Sequence, residues 1–312
     1  MSATARFAAG IIALIAAVLS HGETAHAQTA QQLDWCNGKD NATPELTISG
    51  CTAVIQSGKF IGKNLSLAFV LRGKAHRADG NADKALADFD RAIKLDSKNV
   101  GAWVERCSSN IRNDPGRAIQ DCTSAIKLDS KNASAWAYRG DAFSGKFDYD
   151  SAIKDYNEAI KLSPDWMWPR NDRGWVYQIK AEYDRAIADY TDVIRLAPTY
   201  PIGWANRCEA SASVGKFNEA LADCNKTLEL RANNASAFDS RAFAYLKMGQ
   251  LDKAISDYDA ALQISPTSGS ILYGRGLTKL KKGDTAGGNA DIEAAKALKL
   301  NIAVQSARYG VK

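Results

Sequence analysis

The chain has 312 residues, of which 46% are hydrophobic and 24% are charged. This balance is normal for a soluble packed protein and excludes disordered and fibrous classes. A formal net charge of +5 is small for this length and does not indicate a nucleic-acid-binding protein. The chain contains six cysteines but only three histidines, which disfavours a multi-histidine metal site or a histidine base.

The N-terminal segment has the pattern of a secretory signal. Arg6 precedes the apolar run 7–19, and Ala25-His26-Ala27 provides a small-x-small cleavage pattern. A transmembrane anchor is the alternative, but a span needs about 20 apolar residues. We therefore predict a cleaved signal over residues 1–27 and no stable membrane insertion afterwards. The mature chain would be exported, to the periplasm or the extracellular space if the source is bacterial.

The rest of the sequence repeats with a period of about 34 residues. An arginine recurs in step with an aspartate that lies 16 residues later, or 15 in the second copy. The pairs are Arg72 and Asp88, Arg106 and Asp121, Arg139 and Asp155, Arg173 and Asp189, Arg207 and Asp223, Arg241 and Asp257, and Arg275 and Asp291. The pattern within each copy predicts two amphipathic helices joined by a turn. In the third copy, Trp136, Gly140 and Phe143 have helical spacing, and Pro164 ends the second helix.

This pattern of period, small residues, aromatic residues and terminal proline resembles the tetratricopeptide repeat family. The resemblance implies an all-α fold, a single right-handed superhelical solenoid of stacked antiparallel helix pairs. It covers residues 66–302 as seven units: 66–99, 100–132, 133–166, 167–200, 201–234, 235–268 and the cap 269–302. We interpret residues 28–65 as a degenerate N-terminal helical repeat and residues 303–312 as a C-terminal tail.

The cysteines follow the repeat register. Most copies combine a small residue at position eight with a bulky one at position 24, as in Gly140 and Tyr156, whereas the second and fifth copies have cysteine at both positions. Paired replacement suggests facing side chains, which form disulfides in an oxidising compartment. The predicted bridges are Cys36–Cys51, Cys107–Cys122 and Cys208–Cys224. Buried free cysteines are an alternative, and a zinc site is disfavoured because no Cys-x-x-Cys occurs.

The recurring arginines and aspartates allow two interpretations. They could form a charged stripe that binds an ionic ligand, or ion pairs that fix the register of packed helices. Because both residues recur in equal number and in step, including in the presumed cap, we favour structural ion pairs.

The resemblance also implies a ligand surface. In this family the concave groove is lined by first helices at repeat positions two, five, nine, twelve and thirteen. Carried onto the fourth, sixth and seventh copies, the candidate ligand-binding residues are Trp168, Asn171, Trp175, Gln178, Phe243 and Tyr273. Exposed tryptophan beside asparagine is typical of a recognition hot spot. The alternative is that some tryptophans, Trp166 above all, fill the joint between the third and fourth copies.

Function is predicted as a non-enzymatic scaffold that binds a peptide or a partner protein through the concave face. The alternative is a module that binds an envelope glycan or polysaccharide through the tryptophans of the fourth copy. An enzyme is the least favoured class, since the sequence offers no catalytic constellation, and His76 occupies a position where an aromatic residue is usual. We expect no cofactor, no metal and no nucleic-acid partner.

Overall fold

The structure is a computed structural model that describes residues 23–39 and 41–298. Most of the predicted signal and the whole predicted C-terminal tail lie outside the described residues. Within the described part the only regular elements are helices. They are α1 (Glu23–Cys36), α2 (Pro44–Gln56), α3 (Gly62–Ala78), α4 (Ala82–Leu95), α5 (Val100–Asn110), α6 (Pro115–Leu128), α7 (Ala133–Gly145), α8 (Tyr149–Leu162), α9 (Met167–Ile179), α10 (Tyr183–Leu196), α11 (Pro201–Ser213), α12 (Phe217–Leu230), α13 (Ala235–Lys247), α14 (Leu251–Ile264), α15 (Gly269–Lys282) and α16 (Thr285–Ala297).

The described part of the chain divides into two compact units, which meet between residues 166 and 167 of the sequence. Each unit is a stack of helix pairs in which a helix packs on its partner and then on the next pair. The predicted all-α architecture of stacked helix pairs is confirmed, and α1 with α2 adds a pair before the seven. Of the helices described, none is both long enough and apolar enough to cross a bilayer.

Local sequence sets where each helix begins and turns. Asn99, Asn132 and Asn234 precede first helices, and each side-chain Oδ1 accepts a hydrogen bond from the backbone N–H three residues later. In six of the seven repeats the turn inside the pair places one residue in the left-handed region, which glycine adopts at the least cost. These residues are Gly80, Phe147, Ala181, Gly215, Gly249 and Gly283.

The two helices of a pair approach through one small and one large residue. A Cβ atom built on Gly140 would lie 2.7 Å from Cε1 of Tyr156, so the tyrosine ring lies directly on the glycine backbone. Gly73 with Phe89, and Gly174 with Tyr190, repeat this contact. Close packing of this kind restricts position eight to glycine or alanine when position 24 is aromatic, and the sixth repeat combines Ala242 with Tyr258.

Disulfides replace this contact in three helix pairs. The bridges are Cys36–Cys51, Cys107–Cys122 and Cys208–Cys224, with Cα–Cα distances of 4.5, 5.5 and 5.4 Å. All six cysteines are buried. Each bridge joins the first helix of a pair to its second helix, which is the pairing expected from the repeat register.

The recurring arginine and aspartate form a two-point ion pair in every one of the seven repeats. Nε and Nη2 of Arg139 donate to Oδ2 and Oδ1 of Asp155 over 2.7 and 2.9 Å. The other six pairs have the same geometry, and all seven aspartates are buried. A buried two-point contact fixes the register of the two helices and leaves no free guanidinium stripe for an ionic ligand.

The remaining nitrogen of the arginine connects neighbouring repeats. Nη1 of Arg139 donates to Oγ1 of Thr123, on the second helix of the preceding pair, over 3.1 Å. Equivalent bonds are Arg72 to Thr52, Arg106 to Asp90, Arg207 to Thr191, Arg241 to Asn225 and Arg275 to Asp259. Since Thr52 lies on α2, the N-terminal pair is connected to the first repeat in the same way as later repeats are connected to one another.

Each disulfide should stabilise its helix pair, and the glycine–tyrosine contact of other repeats should be able to restore part of that stability when the disulfide is removed. Substituting both Cys208 and Cys224 by alanine should lower the free energy of unfolding by about 3 kcal/mol, because the bridge closes a loop of about 15 residues. The pair Cys208→Gly with Cys224→Tyr should recover part of this loss, since it recreates the contact of Gly140 with Tyr156. Denaturant unfolding measures both, and equal stability of the two double variants would contradict this packing.

The ion pairs should be individually important. Asp155→Ala leaves the mostly buried Arg139 guanidinium without its carboxylate, and we expect the unfolding free energy to fall by about 3 kcal/mol. As a control in the same repeat, Glu158→Ala removes only the exposed contact with Lys161 and should cost about 0.5 kcal/mol or less. Chemical denaturation of the two variants compares the losses, and similar values would refute a structural role for the buried pair.

Candidate functional site

The first helices of successive pairs form one row in each compact unit. In the first unit α3 packs on α5 and α5 on α7; in the second, α9 packs on α11, α11 on α13 and α13 on α15. Most of the candidate ligand-binding residues lie on α9, the first helix of the second unit. The row therefore brings the side chains of neighbouring repeats to one surface.

One face of α9 is apolar and exposed. Trp168 and Trp175 are each 44% exposed, and Ile179 is 50% exposed. These three residues, the α9 apolar stripe, are separated by seven and four positions and so lie on one side of the helix. Ile202 on α11 is 39% exposed and is at the same repeat position as Trp168. Ile202 is not among the residues predicted from the sequence, although a large apolar residue at position two was the signal that could have identified it.

Polar side chains flank the α9 apolar stripe. Oδ1 of Asn171 accepts a hydrogen bond from Nδ2 of Asn206 over 3.2 Å, which connects α9 with α11. Nδ2 of Asn171 donates to Asp172, and burial raises the pKa of that carboxyl while this bond lowers it. Oε1 of Gln178 accepts from the hydroxyl of Tyr190, and within the described part of the chain its Nε2 has no partner. The surface therefore offers apolar contact area beside an available amide donor.

A local departure from the repeat explains why an indole is exposed here. Trp103, Trp136 and Trp204 occupy position four in their repeats, and each indole N–H donates to a backbone oxygen six residues earlier, over 2.9 Å. In the fourth repeat this position holds Arg170, which is buried with Nε 3.4 Å from Oδ2 of Asp192. The tryptophan lies two residues earlier, at position 168, and is therefore not anchored in this way.

Trp168 nevertheless has a defined neighbour. Its ring contacts that of Tyr200 edge to face, with centroids 5.3 Å apart. Burial raises the pKa of Tyr200, so this phenol is neutral at physiological pH. An edge-to-face contact of this kind favours one orientation of the exposed indole.

Two of the candidate ligand-binding residues are not on an open surface. Phe243 and Tyr273 are 5% and 4% exposed and belong to the hydrophobic core of the second unit. The prediction that they line a binding surface is wrong, because repeat register fixes the direction of a side chain but not how closely the next first helix covers it. Trp166, the residue for which a joint-filling role was the alternative, is partly buried.

His76 does not have the surroundings of a catalytic base. It is buried on α3 with Nε2 4.0 Å from Oδ2 of Asp88. Burial lowers the pKa of the imidazole, and Asp88 only partly opposes this shift. The side chain is therefore neutral at pH 7 and is packed beside the first ion pair.

Comparison with protein families and solved structures supports the repeat assignment. Models of the tetratricopeptide repeat match residues 67–99, 133–166, 170–200 and 244–283. A model of the protein prenyltransferase alpha subunit repeat matches residues 115–144. No curated protein matches the sequence.

Several solved structures share the fold. A tetratricopeptide repeat protein from Parabacteroides merdae is 17% identical over 78% of this chain and 97% of its own, with a TM-score of 0.59. The Cut9–Hcn1 assembly of the APC/C is 14% identical over 86% of this chain and 52% of its own, with a TM-score of 0.63. YrrB, a TPR protein with an unusual peptide-binding site, is 21% identical over 57% and 92%, with a TM-score of 0.51. The four matched segments are thus identified as tetratricopeptide repeats, and these solved structures share the fold of stacked helix pairs.

Proposed function

We propose that the protein is an exported, non-enzymatic scaffold that binds a peptide segment of a partner protein along its first helices. The observation that carries this proposal is the α9 apolar stripe, in which two tryptophans and an isoleucine are exposed on one helix face. Large exposed apolar side chains grouped together are characteristic of interaction surfaces. Tryptophans at such surfaces contribute a disproportionate share of the binding energy.

Chemistry beside the stripe favours a polypeptide ligand. An extended peptide presents apolar side chains together with backbone carbonyl groups that need donors. The stripe provides the apolar contact, and the amide of Gln178 lies on the same helix with its donors available. YrrB, which has the same fold, has a peptide-binding site.

Export is supported by the cysteines and by the N-terminal pattern. Three disulfides within helix pairs are typical of proteins from oxidising compartments. The lack of an enzymatic role is supported by His76, which is buried beside an ion pair instead of facing a cleft.

Replacing Trp175 by alanine should remove the main anchor of the surface. We expect the immobilised protein to capture a defined set of polypeptides from a cell-envelope extract, and Trp175→Ala to reduce that capture at least tenfold. Such a loss corresponds to at least about 1.4 kcal/mol, within the range of hot-spot residues. Quantitative mass spectrometry of the bound fraction measures the change.

The control is Phe147→Ala, because this side chain is 77% exposed but lies in the turn between α7 and α8. It removes an exposed aromatic residue without altering the stripe and should leave capture unchanged. Digesting the extract with protease before capture distinguishes the ligand class. Material that survives digestion and still depends on Trp175 would be a glycan and would overturn the peptide proposal, as would equal capture by Trp175→Ala.

A further inference from the structure

Repeat position eleven, near the end of each first helix, is normally filled by a bulky side chain. One turn earlier lies the ion-pair arginine of position seven, so this side chain covers the space beside the guanidinium. The occupants are His76, Asn110, Phe143, Tyr177, Ser211, Tyr245 and Lys279. The fifth repeat has the smallest of them.

Aromatic occupants show what this space accommodates. The ring of Tyr177 lies 5.7 Å from the guanidinium carbon of Arg173 and 5.3 Å from that of Arg185. In the sixth repeat, the ring of Tyr245 lies 5.4 Å from Nζ of Lys253. Arg185 and Lys253 are both at position nineteen, on the second helix. The ring at position eleven thus contacts a cation in each of these two repeats.

Both positions change together in the fifth repeat, to Ser211 and Glu219. The missing ring leaves a cavity of about 300 Å³ between α10 and α12, with α11 as its floor. This volume is at the lower end of the range for ligand sites. Apart from Ser211 and Glu219, the cavity is lined by Ile187, Thr191, Arg207, Lys216, Ala222 and Asp223.

All but one of the charged side chains around this cavity have an ion-pair partner. Arg207 donates to Asp223 and to Thr191, and Lys216 pairs with Asp184 over 2.9 Å. Glu219 is exposed and has no ion pair among the described residues. The uncompensated charge at the cavity is therefore negative, in contrast to the positive charge that position nineteen carries in the fourth and sixth repeats.

We propose that this cavity binds an aromatic side chain that has a lysine or arginine next to it in a partner protein. The ring takes the place of the absent tyrosine beside the guanidinium of Arg207, and the neighbouring cation pairs with Glu219. The cavity opens between the second helices α10 and α12, whereas the α9 apolar stripe lies on a first helix. It is a second interaction surface, independent of the proposed function of the stripe.

The test uses the full chain and the peptide acetyl-Lys-Tyr-amide as probe, followed by heteronuclear NMR. Titration should shift the Arg207 Nε–H and the amide signals of Ser211 and Glu219 in a saturable way. Ser211→Tyr supplies the ring internally, as in the fourth and sixth repeats, and should weaken binding at least tenfold. The control Ser213→Tyr adds a ring at an exposed position of the same helix and should leave binding unchanged.

Glu219→Lys tests the charge separately and does not depend on whether Ser211→Tyr folds. It should weaken binding of acetyl-Lys-Tyr-amide at least tenfold but leave that of the neutral acetyl-Gln-Tyr-amide within twofold. Absence of saturable shifts in the unaltered protein would overturn the proposal. So would equal binding by the Ser211→Tyr variant, or a loss that is the same for both peptides in Glu219→Lys.

Discussion

The arginine at position seven is the group on which the architecture depends. A guanidinium has five N–H donors in a fixed plane, so one side chain can address two partners in different directions. One edge binds the aspartate of its own repeat, and the outer nitrogen binds the second helix of the preceding repeat. The same side chain therefore sets the register within a helix pair and between adjacent pairs of each unit. Lysine could not do both, because its ammonium lacks the planar fork.

Periodicity explains how much of this could be predicted from the sequence. The seven arginines and aspartates, and the cysteines at facing positions, are visible because the same relation occurs repeatedly in one register. The burial of one particular side chain does not recur from copy to copy, so the sequence gives no comparable signal for it. Phe243 lies on the first helix α13 but belongs to the core, because its exposure depends on how closely the neighbouring first helices pack. The cavity beside Ser211 could not be predicted from the sequence either, because it arises from a side chain that is absent. Only a comparison of the repeats in three dimensions shows which space is left unfilled.

Departures from the repeat mark both proposed surfaces. At position four of the fourth repeat an arginine takes the place of a structural aromatic residue, and the indole lies at an exposed position instead. The fifth repeat exchanges a ring and a cation for Ser211 and Glu219. Sequences that are consistent with their fold nearly everywhere tend to violate local rules where function requires it. Neither change disturbs the ion pair of its own repeat, so the framework tolerates variation around it.

The position of the disulfides has a consequence for how the chain responds to tension. Each bridge closes a loop inside one helix pair, and none connects one pair to the next. Pulling on the ends of the chain can separate neighbouring repeats. The roughly 15 residues between two bridged cysteines cannot be extended, which shortens the stretched chain by about 50 Å at 3.3–3.6 Å per residue. Three bridges together withhold about 150 Å. The fully stretched chain is thus shorter in the oxidised protein than in the reduced protein, although no bridge lies at an interface between helix pairs.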